Sequence, residues 1–259
     1  MPTLRTAQAD STMFTVRHRR AIITGAASGI GLASARLLVE AGVAVVGLDI
    51  AAPPAGGAGA PFPMLRVDIT DEQQVITGVA QAARQLGGLD LLVNSAGIEI
   101  EAPLAHIRAA DLDRMYAVNV RGLILVTREA LPHLQAAGPP AAADAFRIIN
   151  VASELAYLGR AGASAYCGTK AAVLGLTRSW ARELAPRGLV NAVAPGPIDT
   201  PLLHFADMTP EQQALEQQNP LGRIGTADEV AAVIGFLASS AASFITGHCY
   251  GVDGGAAMR

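Results

Sequence analysis

Seven short apolar runs punctuate the chain, at positions 21–24, 43–49, 64–68, 89–94, 147–152, 189–194 and 248–252. Each is apolar at successive positions rather than at alternate ones, so each reads as a strand covered on both faces, the condition of a parallel sheet. Between them lie segments of helix length. Strand and helix in alternation predict one doubly wound α/β domain over residues 19–259, a seven-stranded parallel sheet flanked by helices. Residues 230–252 hold no Asp, Glu, Lys or Arg, but Ser239, Ser240, Ser243 and Gly247 divide them into a helix and a strand, so no membrane span is expected. Residues 51–63 and 138–145, rich in Pro, Gly and Ala, read as surface loops. Residues 1–18 carry Arg5, Asp10, Arg17 and His18 and no sustained apolar core, so they read as a loosely ordered extension, not a signal peptide.

Composition narrows the classes of partner. A net charge of −3 over 259 residues and a pI near 5.9 leave no basic surface for a phosphate backbone, so nucleic acid is not an expected partner. Cys167 and Cys249 have neither metal-ligand spacing nor the density of a disulfide scaffold; they read as packing residues of a cytoplasmic protein, and no metal site is expected.

The first candidate for chemistry follows the first strand. Thr24-Gly25-Ala26-Ala27-Ser28-Gly29-Ile30-Gly31 leads directly into a helical pattern at 32–41. Glycines there let the backbone turn tightly and approach a pyrophosphate, whose charge is favoured by the free N–H groups of the helix start. The spacing Gly-x-x-x-Gly-x-Gly differs from Gly-x-Gly-x-x-Gly and lacks the Lys-Ser/Thr ending of a triphosphate loop. Asp49, 18 residues beyond Gly31, closes the second strand where a carboxylate can accept from a ribose diol and repel a 2′-phosphate. No Lys or Arg stands in the turn or just after Asp49, so NAD is favoured over NADP. Asp68, next to Ile69, ends the third strand and can meet an adenine amino group or cap the following helix.

The second candidate is Tyr166 with Lys170. Four residues apart, they share one face of a helix, where an ammonium beside a phenol is expected to lower the phenol's pKa towards neutrality. Ser153 follows the strand-like run 147–152 and can point its hydroxyl at the same place. The fourth strand ends in Asn94-Ser95-Ala96-Gly97, small residues that allow backbone to pass close to a bound cofactor.

In order and spacing these motifs, with Asn119 and Pro195-Gly196, resemble the short-chain dehydrogenase/reductase family from about Arg20 to the C-terminus, including the 12 residues between Ser153 and Tyr166. The resemblance implies a Rossmann fold and hydride transfer between a nicotinamide and a secondary alcohol or ketone. It implies Tyr166 as proton donor or acceptor, Ser153 as holder of the substrate oxygen, and Lys170 as tuner of Tyr166 and ligand of the nicotinamide ribose. Asn119 matches the asparagine that kinks a helix so that its backbone carbonyl holds a relay water. The same likeness implies cofactor contacts from Gly25, Ser28, Gly29, Ile30, Gly31, Asp49, Asp68, Ile69, Asn94, Ala96, Gly97, Tyr166, Lys170, Pro195, Gly196, Ile198 and Thr200. Residues 197–223 look like the variable substrate lid, where Leu202, Leu203, Phe205 and Met208 suggest a partly hydrophobic substrate. Glu154, Arg160 and His204 flank the expected substrate pocket; Arg160 can pair with a substrate anion or with protein carboxylates, and a lone histidine among apolar residues can be structural. Two departures stand out: Ser95 where a second asparagine is usual, and the Pro/Gly-rich 51–63 where a helix is usual. The last strand, around 247–255, suggests a homo-oligomer, tetramer or dimer. Two alternatives remain open: an NADPH-preferring carbonyl or 3-oxoacyl reductase, and a non-catalytic NAD(H)-sensing protein.

Overall fold

The computed structural model describes Val16 and residues 20–51, 60–134 and 145–258. The N-terminal extension and most of the two Pro/Gly/Ala-rich loops lie outside them. The chain runs β1 (Arg20–Thr24), α1 (Gly29–Glu40), β2 (Ala44–Asp49), β3 (Met64–Arg66), α2 (Glu72–Leu86) and β4 (Leu91–Asn94). It continues with α3 (Ala109–Tyr116), a π-helical turn (Ala117–Gly122), α4 (Leu123–Ala130), β5 (Phe146–Val151), α5 (Leu155–Leu158), α6 (Ser164–Leu184) and β6 (Gly188–Pro195). The last elements are β7 (Ile198–Asp199), α7 (Pro210–Glu216), β8 (Gly225–Thr226), α8 (Ala227–Ala238) and β9 (Cys249–Val252).

Seven strands form one parallel sheet in the order β3-β2-β1-β4-β5-β6-β9, the doubly wound arrangement expected from the pattern. Every residue of β4, β5 and β6 is buried, which explains why these strands read as continuous apolar runs. One face of the sheet packs on a core that includes Leu38 of α1 and Val230, Ile234 and Leu237 of α8. The other packs on one that includes Val75 and Val79 of α2, Leu125 and Val126 of α4 and Ala181 of α6. Among the described residues no helix is long and apolar enough to cross a membrane; the uncharged stretch 230–252 divides into α8 and β9.

Strand order reverses between β1 and β4, and the crevice at their carboxyl ends is where doubly wound sheets bind ligands. Two devices shape it. The Thr24 hydroxyl accepts from the Ser95 and Ala96 N–H groups, both at 3.1 Å, fastening the loop after β4 to the end of β1. A buried polar chain then links sheet to helices: Asn94 Nδ2 donates to Thr127 Oγ1 and Asn150 Oδ1, and Asn150 Nδ2 to Thr177 Oγ1 of α6. The two-residue parallel pair β7–β8 ties the start and end of the lid region together, Ile198 against Gly225 and Asp199 against Thr226.

Candidate active site

The glycine-rich turn becomes the start of α1. Gly25 (φ 68°) and Gly29 (φ 52°) occupy the left-handed region that only glycine enters cheaply. A Cβ on Gly31 would lie 2.1 Å from the Gly25 carbonyl oxygen, so the turn closes only without one. The N-terminus of α1 has no side-chain cap, and its residues Ile30 and Gly31 stand in the wall of the crevice. Unsatisfied N–H groups and the positive dipole end therefore face the crevice, which is what a pyrophosphate needs. The donors present fit a dinucleotide.

From this turn a cavity of about 430 Å³ runs across the carboxyl ends of the strands. Its wall includes Gly25, Ser28, Ile30, Gly31, Asp49, Asp68, Ile69, Ala96, Gly97, Ser153, Tyr166, Lys170, Pro195, Gly196 and Thr200. At one end Asp49 accepts from the Ala27 N–H (2.9 Å) and the Ala51 N–H (2.9 Å), locking its carboxylate against the glycine turn with lone pairs to spare for a diol. Asp68 is not the cap of α2. Its Oδ1 accepts from the Thr70 N–H and hydroxyl, at 2.9 and 2.7 Å, while Asp71 caps the helix.

At the other end Tyr166 and Lys170 rise from the first two turns of α6, both buried. Ser153, just past β5, hydrogen-bonds the Tyr166 hydroxyl and accepts from the Leu155 N–H at 3.1 Å. Lys170 Nζ donates to the Val151 carbonyl at 2.9 Å and lies 5.7 Å from the centre of the Tyr166 ring. Here the electrostatics depart from the sequence expectation. Burial, and next the carboxylate of Glu99, push the Tyr166 phenol above its ordinary value, against the Ser153 hydrogen bond. Lys170 is itself pushed down to about 8 by burial, with Glu99 pulling it back up. An ammonium out of water and held by a backbone carbonyl cannot offset the desolvation of its neighbour.

Asn119 lies outside the cavity wall, on the π-helical turn between α3 and α4. Its amide donates to the Ile98 carbonyl (2.8 Å) and Thr169 Oγ1 (3.0 Å), and its oxygen accepts from the Ile98 N–H (2.9 Å). Asn119 thus joins the loop after β4 to α6, one residue before Lys170. Asn94 also stands behind the wall, in the polar chain between β4 and β5. Gly29 contributes conformation at the turn without lining the cavity.

A second, smaller cavity of about 80 Å³ shares Ser153, Tyr166, Gly196, Thr200 and Leu202 with the first, so Ser153 and Tyr166 sit where the two meet. Its wall adds Glu99, Glu154, Arg160, Ile198, Leu203 and Glu216. Arg160 pairs with protein carboxylates, Glu216 at 2.8 Å, Glu99 at 3.3 Å and Glu101. His204 does not join either wall. Its side chain is 69% exposed, in a left-handed residue (φ 51°) whose ring nitrogen lies 3.6 Å from the Asp207 carboxylate.

Sequence reasoning read Thr24 as the head of the glycine-rich turn but not its role in fastening the loop after β4, and it missed Thr169 and Glu99. Thr169 carries no signal beyond standing next to Lys170. Glu99 sits in the alternation Ile98-Glu99-Ile100-Glu101, which shows a two-faced segment but not that Glu99 faces inward. Among the described residues no cluster of His, Cys, Asp or Glu has metal-binding geometry.

Comparison with known proteins agrees with this geometry. The family model described as enoyl-(acyl carrier protein) reductase matches residues 25–257. The cis-4-hydroxycyclohexanecarboxylate dehydrogenase of Sinomonas cyclohexanicum is 44% identical over 247 residues, covering 92% of this chain and 96% of the relative. Ligand-free aldohexose dehydrogenase of Thermoplasma acidophilum superposes with a TM-score of 0.84 at 34% identity, covering 94% of this chain and 96% of that one. The 3-ketoacyl-(acyl-carrier-protein) reductase of Brucella melitensis, complexed with NADH, gives 0.81 at 33% identity, with 93% and 98% covered. The chain belongs to the short-chain dehydrogenase/reductase family, oxidoreductases of alcohol and carbonyl groups that use a nicotinamide cofactor.

Proposed function

We propose that the protein is an NAD-dependent oxidoreductase of a secondary alcohol or its ketone, with Tyr166, Ser153, Lys170 and Asn119 as its catalytic set. One observation carries the reading: Tyr166, Ser153 and Lys170 converge at one end of a cavity that begins, at its other end, at an uncapped helix start and Asp49. Bound along that cavity, NAD supplies the hydride acceptor, or in reduced form the donor.

The residues of the chain do the rest. Gly25, Ser28, Ile30 and Gly31 hold the pyrophosphate; Asp49 takes the adenosine ribose, with Asp68 and Ile69 beside the adenine. Ala96, Gly97, Pro195, Gly196 and Thr200 line the path towards the nicotinamide, whose ribose Lys170 holds, and Ile198, in the wall of the smaller cavity, would meet its far end. Ser153 Oγ orients the substrate oxygen. Tyr166 Oη takes its proton during oxidation and returns it during reduction. Positive charge brought beside the phenol would act against the burial that raises it, so a bound oxidised nicotinamide would favour the phenolate. As in the family it resembles, the backbone carbonyl of Asn119, on the π-helical turn, would hold a relay water linked to Lys170. Residues 197–223 cover the substrate side and exclude water.

A homo-oligomer, tetramer or dimer, in the cytoplasm completes the reading, with β9 at the free edge of the sheet as the natural contact. The second reading, an NADPH-preferring carbonyl or 3-oxoacyl reductase, draws on the similarity to 3-oxoacyl reductases, although the one named above is complexed with NADH. Asp49 against the glycine turn opposes it. A spectrophotometric screen of polyols, sugars, hydroxy acids, steroids and cyclic alcohols at mildly alkaline pH tests both. NADH absorbance is expected to rise with at least one, roughly tenfold faster with NAD than with NADP, the worth of one charge-assisted hydrogen bond. No change with any alcohol or ketone would refute the reading, and a preference for NADP would overturn the cofactor assignment.

A further inference from the structure

The smaller of the two cavities that meet at Tyr166 sets one guanidinium against several carboxylates. Glu99 and Glu216 stand in its wall and, with Glu101, pair with Arg160, while Glu154 lines the same wall. Glu216 and Glu154 are buried, Glu99 is about a fifth exposed, and the more exposed Glu101 also pairs with Arg160. Arg160 Nη1 donates to Glu216 Oε1 at 2.8 Å, and Nη2 pairs with both Glu99 and Glu101. Both ends of its fork are therefore in use. Lys170, whose charge also reaches Glu99, donates to the Val151 carbonyl.

We propose that this arrangement makes the site select uncharged alcohols and ketones and reject those bearing a carboxylate or phosphate near the reacting carbon, with Arg160 serving as the latch of the lid. The inference rests on the active site assigned above and names its substrate class.

Two independent features support it. First, the cavity already holds more negative charge than it solvates well: burial, together with Glu101 and Glu216, pushes the Glu99 carboxyl up to about 7 in spite of Arg160 and Lys170. A ligand anion would add to that charge in a place screened from water. Second, the pairing ties together three separate parts of the chain. Glu216 ends lid helix α7, Arg160 follows α5, and Glu99 and Glu101 follow β4. An anion could gain Arg160 only by displacing a carboxylate that already holds it, and displacing Glu216 would leave a buried carboxylate without its cation and release the lid. A substrate with hydroxyl, ether or amide groups meets neither obstacle and can accept or donate to the same carboxylates.

The test uses ligands that need no turnover, so that it can fail separately from the proposed function. Cyclohexanecarboxamide and cyclohexanecarboxylate, nearly equal in shape and differing in charge, are titrated calorimetrically into the protein saturated with NADH. The amide is expected to bind at least about tenfold more tightly than the acid, and Glu216→Gln to narrow that ratio several-fold by freeing Arg160. In parallel, kcat/KM for cis-4-hydroxycyclohexanecarboxylate is expected to fall at least about tenfold below that of its methyl ester. Equal or tighter binding of the carboxylate would show that Arg160 exchanges Glu216 for the ligand and would overturn the proposal, as would failure of both ligands to bind. Absence of turnover with selective binding intact would instead count against the oxidoreductase reading alone.

Discussion

Glu99 shows how a single buried side chain couples stability to pH. Its carboxyl stands at about 7 in the folded protein against 4.5 ordinarily, chiefly through burial. The fold therefore binds this proton more tightly than the unfolded chain does. The stability that this protonation contributes is complete below about 4.5 and is lost as pH rises through about 7. Chemical denaturation across that window should show Glu99→Gln gaining on the wild type as pH rises, whereas parallel curves would show that Glu99 ionises freely in the fold. Asp49 is the residue that decides the cofactor in this account. Asp49→Ala removes a charged acceptor worth about 1.5–3 kcal/mol, so the KM for NAD should rise tenfold or more while that for NADP falls. An unchanged NAD/NADP ratio would remove Asp49 from cofactor choice. Both residues were polar points in the sequence, but only one was readable. Asp49 closes an apolar run at a set distance from Gly31, whereas the burial of Glu99 depends on α7 and Arg160 folding over it from far along the chain.

At the scale of elements, the start of α1 carries the heaviest constraint. Gly31→Ala would put a methyl group 2.1 Å from the Gly25 carbonyl oxygen, and backbone there cannot yield as a side-chain tip could. A loss of about 1–3 kcal/mol in unfolding free energy is expected, with cofactor affinity falling further because the N–H groups are re-aimed. Wild-type NADH affinity in that variant would show that the tight turn is not what builds the cradle. The seven strands were legible because burial on both faces leaves an unbroken apolar run, and their ends shifted by only a residue or two. The short elements were not legible. The pair β7–β8 has two residues a side and the π-helical turn differs from an α-helix by one residue of register, so neither leaves a period in the sequence. The distinction between Asp68 and Asp71 as the cap of α2 was hidden for the same reason, a matter of three positions within one turn.

Across the whole molecule, sheet order places functional groups from distant parts of the chain along one crevice. The glycine turn after β1, the loop after β4, Ser153 after β5 and Pro195 at the end of β6 all stand at carboxyl ends of neighbouring strands. This convergence follows from parallel pairing and was readable once the strands were. What could not be read was the tuning of the pair on α6, since proximity in sequence gives Tyr166 and Lys170 a shared face but says nothing of the desolvation that raises one and lowers the other. The central claim is that Tyr166 moves the proton at a site that binds the dinucleotide without it. The most direct measurement is the Tyr166→Phe variant, assayed for NADH affinity and for turnover with an alcohol that the wild type oxidises. NADH binding within about twofold of wild type, with kcat reduced about 10²–10⁴-fold as expected for loss of a general acid–base group, is the predicted result. Turnover at the wild-type rate would contradict it.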